Sequence, residues 1–173
     1  WHGFAEVCYE ANLLNRAVID SLRKASLSVI SFPPSTGAIT ANRMVTQWDT
    51  SAIQVAREAG LIPVIQGDVV FDTHLGGAIL STEGASVYLC QQFHPQRILL
   101  AGIEPGVWAD FPTKQHTLPV ITPQSWQTIQ KAVQGSAAID VTGGMRKKVQ
   151  DMIQLIQKYP ALQVLIFNGL QPG

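Results

Sequence analysis

The sequence predicts an α/β sandwich with a largely parallel sheet. Amphipathic stretches of helical period alternate with short apolar runs; two of those runs, Leu61–Ile65 and Arg97–Gly102, are nearly continuous, as in strands covered on both faces; and both lead into glycine-containing turns. With 173 residues and 46% hydrophobic content the chain can bury one sizeable core. It has no tandem repeat, low-complexity segment or clear linker, so a single domain spanning 1–173 is expected.

In order along the chain, Phe4, Val7, Cys8, Ala11, Leu14, Val18, Leu22 and Ala25 recur at helical spacing, with Glu10, Arg16 and Arg23 between them. This predicts a long amphipathic helix. Leu27–Ser31 reads as a strand stopped by Pro33-Pro34, and 35–48 as loop or short edge structure. Asp49-Thr50-Ser51 offers capping side chains for a helix through Ile53, Val55, Ala56 and Ala59, and Gly60 stands where a left-handed C-terminal cap belongs. The strand Leu61–Ile65 ends at Gln66-Gly67-Asp68. Ligands of open α/β sheets gather at the carboxyl ends of strands, which makes Gly67 and Asp68 candidate site residues. A turn glycine with an aspartate satisfying turn amides is the other reading of this pair.

Val69–Asp72 and Ala78–Leu80 flank a five-residue turn segment, Thr73–Gly77, and predict a hairpin. Ser81-Thr82-Glu83 places a hydroxyl cap before an acidic first turn of a helix that His94-Pro95 breaks near Phe93. After Arg97–Gly102 comes the turn Ile103–Val107, then an extended piece, Leu118–Thr122. Pro123 starts a helix carrying Trp126, Ile129 and Val133 that Gly135-Ser136 ends. Met145, Val149, Met152, Ile153 and Ile156 form the buried stripe of a further helix ending near Tyr159-Pro160, and Val164–Phe167 is the last strand.

Twelve acidic and twelve basic side chains, 14% of the chain, leave a formal net charge of zero. That argues against a nucleic-acid-binding or polybasic membrane surface. Cys8 and Cys90 have no Cys-x-x-Cys spacing and read as buried free thiols, and no zinc site is expected. No secretory leader or long uninterrupted apolar span is present, so a cytoplasmic location is expected. The first residue is Trp1, and Asn168–Gly173 reads like the start of a loop, so the chain is expected to be a fragment. His74, His94 and His116 lack partners at catalytic or metal-ligand spacing and are expected at the surface, and the four tryptophans are expected in core or interface.

The most informative stretch is Ile139–Lys148. Thr142 can cap the following helix, Gly143 and Gly144 let backbone amides approach a bound group, and the positive end of the helix dipole favours an anion there. Lys148 lies four residues after Gly144 on the same side of the helix, and its side chain leans toward that end. Local chemistry weighs this anion cradle about evenly against a loop entering a solvated basic helix. Walker-type spacing is absent.

Taken together, Asp49–Ile53, Ile62–Val70, Ile79–Glu83, Gly106-Val107-Trp108 and Ile139–Lys148 appear in the order found in isopentenyl phosphate kinases of the amino acid kinase superfamily, which the chain resembles over nearly its whole length. His2-Gly3-Phe4 and Phe167-Asn168-Gly169 are also similar. The resemblance implies an amino acid kinase (carbamate kinase-like) fold, a three-layer α/β/α sandwich, here incomplete. It implies transfer of the ATP γ-phosphoryl to isopentenyl phosphate with Mg2+, a small-molecule phosphate acceptor as partner, and a homodimer at full length.

By the same resemblance Ile103, Gly106, Gly143, Gly144 and Lys148 border the nucleotide, and Gly67, Asp68 and Thr82 border the acceptor. The catalytic histidine belongs to a glycine-rich segment expected upstream of Trp1, so the 173-residue chain alone is expected to be inactive. Three positions depart from the family pattern: Gln66 stands where many members have histidine, Ile103 where an acidic residue often borders the nucleotide, and Pro105 where aspartate is usual. A superfamily kinase with a different small phosphate, phosphonate or carboxylate acceptor is the runner-up. A noncatalytic nucleotide-binding or dimerising remnant is the reading from another class.

Overall fold

The computed structural model describes residues 1–131, 133 and 144–170. The chain divides into two compact units, Trp1–Gln92 and Phe93–Gly173. Both combine helices with parallel strand pairs, the α/β class expected.

The first unit opens with α1 (His2–Lys24), followed by β1 (Val29–Ser31). After a 3-10 turn at Pro34–Thr36 come β2 (Ala38–Ala41), β3 (Met44–Trp48), α2 (Ser51–Glu58) and β4 (Ile62–Val64). The unit closes with β5 (Asp68–Asp72), β6 (Gly76–Leu80) and α3 (Thr82–Phe93). β1 and β4 pair in parallel, Val29 opposite Ile62 and Ser31 opposite Val64. A mixed sheet in the order β3-β2-β5-β6 stands beside them.

Local chemistry explains the helix ends. Asp49 Oδ1 accepts the Ser51 N–H at 2.9 Å. At the other end of α2, Gly60 has φ +79° and donates to the Arg57 carbonyl, while the Leu61 N–H reaches the Ala56 carbonyl. These two bonds form a Schellman cap, as the glycine predicts. Ser81 Oγ caps α3 by accepting the Gly84 N–H at 3.1 Å. The unit's core gathers Ile19, Ala38, Trp48, Ile53, Val69, Val70, Leu80 and Ala85, each large aliphatic side chain among them contributing about 1.5–3 kcal/mol by leaving water.

One expectation is settled here and two change. Of the two readings of 35–48, loop or short edge structure, the second holds: the segment forms the β2–β3 hairpin with β3 at the sheet edge, and its turn residues Asn42 and Arg43 both have positive φ, 50° and 68°. Such a turn normally asks for Asn-Gly. Here a remote carboxylate holds it instead, with Asp72 accepting N–H bonds from Asn42 at 3.1 Å and Arg43 at 2.7 Å. The β5–β6 loop is three residues, not five, because Gly76 (φ +79°) already pairs with Asp72. Finally, the packed row of α1 is not the apolar stripe. Asn15 and Ile19 are its buried residues, whereas Val7, Leu14 and Val18 are exposed. Cys8, Asn12, Asn15 and Ile19 fall at the i, i+4, i+7, i+11 spacing of a single helix face, and α1 packs on β1 and β5.

The second unit comprises β7 (Arg97–Gly102), β8 (Val107–Trp108), β9 (Thr117–Leu118), α4 (Pro123–Ile129), α5 (Gly144–Lys158) and β10 (Gln163–Asn168). β7 and β10 pair in parallel along their whole length, from Arg97 opposite Gln163 to Gly102 opposite Asn168. Thr122 and Ser125 form a reciprocal capping box at the start of α4, with Pro123 at its first position. Val107, Trp126, Val133, Val149 and Ile153 make the core, with Met145 and Ile166 packed against it.

The strands Leu61–Ile65 and Arg97–Gly102 do not show the two-sided burial expected of them. Ile62 is 43% exposed and Leu99 is 61% exposed. Each strand belongs to a two-stranded sheet, which leaves one face of the apolar run open.

Candidate functional site

The first unit brings Gly67, Asp68 and Thr82 together. β4 runs into Gln66-Gly67, β5 begins at Asp68, and Asp68 pairs with Leu80 just ahead of α3. A Cβ placed on Gly67 would stand 3.3 Å from Thr82 Oγ1 and 3.4 Å from the Leu80 carbonyl oxygen. Glycine is therefore favoured by close approach, chiefly of the Thr82 hydroxyl. Thr82 is exposed and keeps its hydroxyl at this edge.

Asp68 is 1% exposed. A carboxylate can be buried only when donors replace water; here Oδ2 accepts the Ser35 N–H at 3.2 Å and Oδ1 the Val69 N–H at 2.9 Å. From Ser35 a polar chain returns to the same edge. Cys8 Sγ donates to Ser35 Oγ at 3.9 Å, and Asn12 Nδ2 donates to the Cys8 carbonyl at 2.8 Å and approaches its sulfur at 3.4 Å. Gln66 Nε2 donates to Asn12 Oδ1 at 3.2 Å. Gln66, Asn12, Cys8, Ser35 and Asp68 thus form a loop of polar contacts closed through Gly67. One helical turn further along α1, Asn15 Nδ2 donates to Ser31 Oγ at the carboxyl end of β1. Asn12 and Asn15 were not legible as site residues, because polar side chains on a helix are ordinarily assigned to its solvent face. Their usable signal was the shared row with Cys8 and Ile19.

In the second unit Gly106 is buried against Thr117 and the Ile166 carbonyl, and Ile103 is 73% exposed past the carboxyl end of β7. Gly169 closes that end, donating to the Gly102 carbonyl at 2.8 Å. Gly144 opens α5 with φ +66°, a conformation that a side chain strains. Lys148, four residues on, is half-buried on the next turn. Met145 and Val149 pack into the core that also holds Val107, so the start of α5 and the Gly106 edge share one support. Asp140, Thr142 and Gly143 lie outside the described residues.

The turn after β7 carries a second polar assembly. Glu104 accepts from Lys114 Nζ at 2.5 Å and from Trp108 Nε1 at 2.8 Å. These two hydrogen bonds, with the Lys114 charge, hold the Glu104 carboxyl below the usual glutamate range against the opposing effect of burial. His116 does have a partner, contrary to expectation: its Nδ1 lies 3.3 Å from Asp110 Oδ2, the intervening loop folding back so that six residues of separation become a contact. Burial raises the Asp110 carboxyl, but bonds from His116 and Gln115 outweigh it and leave it below the usual range. His116 itself is largely exposed, as expected of a surface histidine, while Asp110 is half-buried. Trp48 and Trp126 are buried, while Trp1 is exposed beside Phe4 and Phe71.

Each unit carries a glycine turn after a parallel strand, and the second also has a glycine-started helix with a lysine on its next turn; strand ends and helix starts of this kind are where α/β proteins receive small anions. The chain belongs to the amino acid kinase family, whose family model matches residues 5–168. It is 33% identical over 167 residues to an isopentenyl phosphate kinase of Methanocaldococcus jannaschii, covering 96% of this chain and 60% of that protein. A second isopentenyl phosphate kinase, from Methanothermobacter thermautotrophicus, is 27% identical over 99% of this chain and 64% of that protein. The chain thus spans about three fifths of these relatives' length. Among solved structures, one of an isopentenyl phosphate kinase superposes with a TM-score of 0.78 at 24% identity, over 99% of this chain and 63% of that one, which establishes the shared fold.

Proposed function

We propose that the full-length protein transfers the γ-phosphoryl group of ATP to isopentenyl phosphate, giving isopentenyl diphosphate. The observation that carries this reading is similarity to isopentenyl phosphate kinases over 96% and 99% of the chain, through both the Gly67–Asp68–Thr82 edge and the Gly144–Lys148 helix start.

In this reading the acceptor lies against Gly67 and Thr82, where Gly67 lets the two edges approach closely and the Thr82 hydroxyl can donate to a phosphate. Buried Asp68 fixes the backbone of that edge. The nucleotide lies against Ile103, Gly106, Gly143, Gly144 and Lys148. Phosphoryl transfer asks mainly for positioning and charge stabilisation. The Lys148 ammonium and the amide-rich start of α5 supply positive potential for the transferring group. Among the described residues no group of three or more His, Cys, Asp or Glu could hold a metal ion. Magnesium then arrives with ATP, held largely by phosphate oxygens and water, and neutralises phosphate charge.

A homodimer in the cytoplasm is the corresponding assembly and location. No described helix is long and apolar enough to cross a membrane. The test is an assay of the full-length protein with ATP across a panel of small phosphates, phosphonates and carboxylates. Isopentenyl diphosphate and ADP in equal amounts are expected, and preferential use of another acceptor would overturn the assignment.

A further inference from the structure

Beside its inward row, α1 carries a second stripe that the fold leaves in water. Val7, Ala11, Leu14, Val18, Ser21 and Ala25 follow one another in steps of four and three, the seam spacing of helices that pair with helices. The seam lies about a quarter turn round the helix from the row of Cys8, Asn12, Asn15 and Ile19. Val7 and Val18 are 42% exposed and Leu14 is 69% exposed. Apolar side chains aligned in this way on one face, unlike scattered single ones, mark an interaction surface.

The charges beside the seam say what fits it. Glu10, Ala17 and Lys24 run along its solvent-side edge one heptad apart, and all three are exposed. When the helix is laid antiparallel on a copy of itself about a two-fold axis near Ala17, each Glu10 stands against the Lys24 of the other copy. In the same register Leu14 of one copy meets Val18 of the other, and Ala11 meets Ser21. Arg16 and Asp20, paired with each other at 3.3 Å, stand on a different face. The surface is therefore complementary to itself in shape and in charge, as a two-fold interface requires.

We propose that this seam of α1 is the interface of a homodimer, its occupant the antiparallel α1 of a second copy, with a Glu10–Lys24 ion pair at each end. This inference rests on the homodimer reading above and names its face. Sedimentation equilibrium of the full-length protein measures the dimer dissociation constant. Leu14→Glu should raise that constant about 10²-fold or more, because a carboxylate enters the apolar seam twice. Glu10→Lys and Lys24→Glu should each raise it about tenfold, since each turns two attractions into two repulsions. The double variant Glu10→Lys with Lys24→Glu should return to within about twofold of the unmodified value. These side chains are exposed in the single chain, so the variants should keep their circular dichroism spectra. A dimer that Leu14→Glu does not weaken would overturn the seam and leave the homodimer reading standing. Weakening by both single charge changes with no recovery in the double variant would overturn the antiparallel pairing. An unmodified protein that sediments as a monomer would overturn the seam and the homodimer together, whereas the phosphoryl-transfer assignment is decided separately by the acceptor assay.

Discussion

The two candidate edges, one in each unit, are built by opposite means. The Gly67–Asp68 edge of the first unit is held by side-chain hydrogen bonds: Asp68 to Ser35, Cys8 to Ser35, Asn12 to Cys8 and Gln66 to Asn12. The Gly106 and Gly144 edge of the second unit is held by apolar packing, with Met145, Val149, Val107 and Ile166 around one core. The difference teaches where each edge should break. Directional bonds make the first sensitive to the identity of single polar atoms. The second should tolerate changes of core shape but depend on backbone conformation at Gly144 and on the charge of Lys148.

The sharpest test of that contrast is Lys148→Ala in the full-length protein. Loss of one charged stabilising group at a phosphoryl-transfer site is expected to cost about 10²-fold or more in kcat/KM for ATP. Thermal stability should change little, because the core beneath is made by Val149 and Ile153, not by the lysine. Steady-state kinetics with ATP varied at saturating acceptor decide it. Unchanged kinetics would return the start of α5 to a solvated basic helix.

Gly67→Ala probes the first edge and should act through the other substrate. The new Cβ would meet Thr82 Oγ1 at 3.3 Å, a tight contact, and the Leu80 carbonyl at 3.4 Å, an ordinary one. The strain therefore falls on the Thr82 hydroxyl, which must give by a few tenths of an ångström. Displacing that hydroxyl should raise the acceptor KM about tenfold, the usual worth of one hydrogen bond. The ATP KM should not move. A rise in the ATP KM of equal size would end the division of labour between the two edges.

Much of this architecture was legible from the sequence because it rests on local signals. Gly60 as a left-handed cap, Ser81 as an N-cap, Pro123 at a helix start and the β5–β6 hairpin each depend on a few neighbouring residues. The parts that were not legible depend on remote partners. The turn at Asn42-Arg43 is held by Asp72, about thirty residues away in sequence, whose carboxylate also accepts bonds from Thr40, His74 and Leu75. Burial opposes the charge on Asp72, yet the N–H groups of Arg43, Leu75 and His74 and the Thr40 hydroxyl hold its carboxyl far below the usual range. Likewise, helical periodicity located α1 but could not show that Asn12 and Asn15 face inward, because the partners that draw them in, Gln66 and Ser31, lie outside the helix. In the candidate site, Gly67, Asp68 and Thr82 could be named individually from the sequence. The polar loop joining Gln66 to Asp68 could not.

The smallest effect concerns the Glu104 assembly beside Gly106, which sets a polar cluster against the apolar support of the same unit. Lys114 and the Trp108 indole hold the Glu104 carboxyl below its usual range. A carboxyl depressed on folding contributes stability that is complete above the ordinary glutamate range and is lost as pH falls through the lowered folded value. Acidification should therefore release Trp108 and Lys114 only below the pH at which exposed glutamates protonate, while the packing of Val107, Trp126 and Val149 persists. The Trp108 indole N–H resonance, followed by NMR through an acid titration, reports this directly. Its midpoint should lie below the ordinary glutamate range, and Glu104→Gln should abolish that step, leaving the resonance insensitive to pH there. A midpoint at or above the ordinary range would mean that Lys114 does not hold Glu104 in solution. The Gly106 turn would then depend on the apolar core alone, as the start of α5 does.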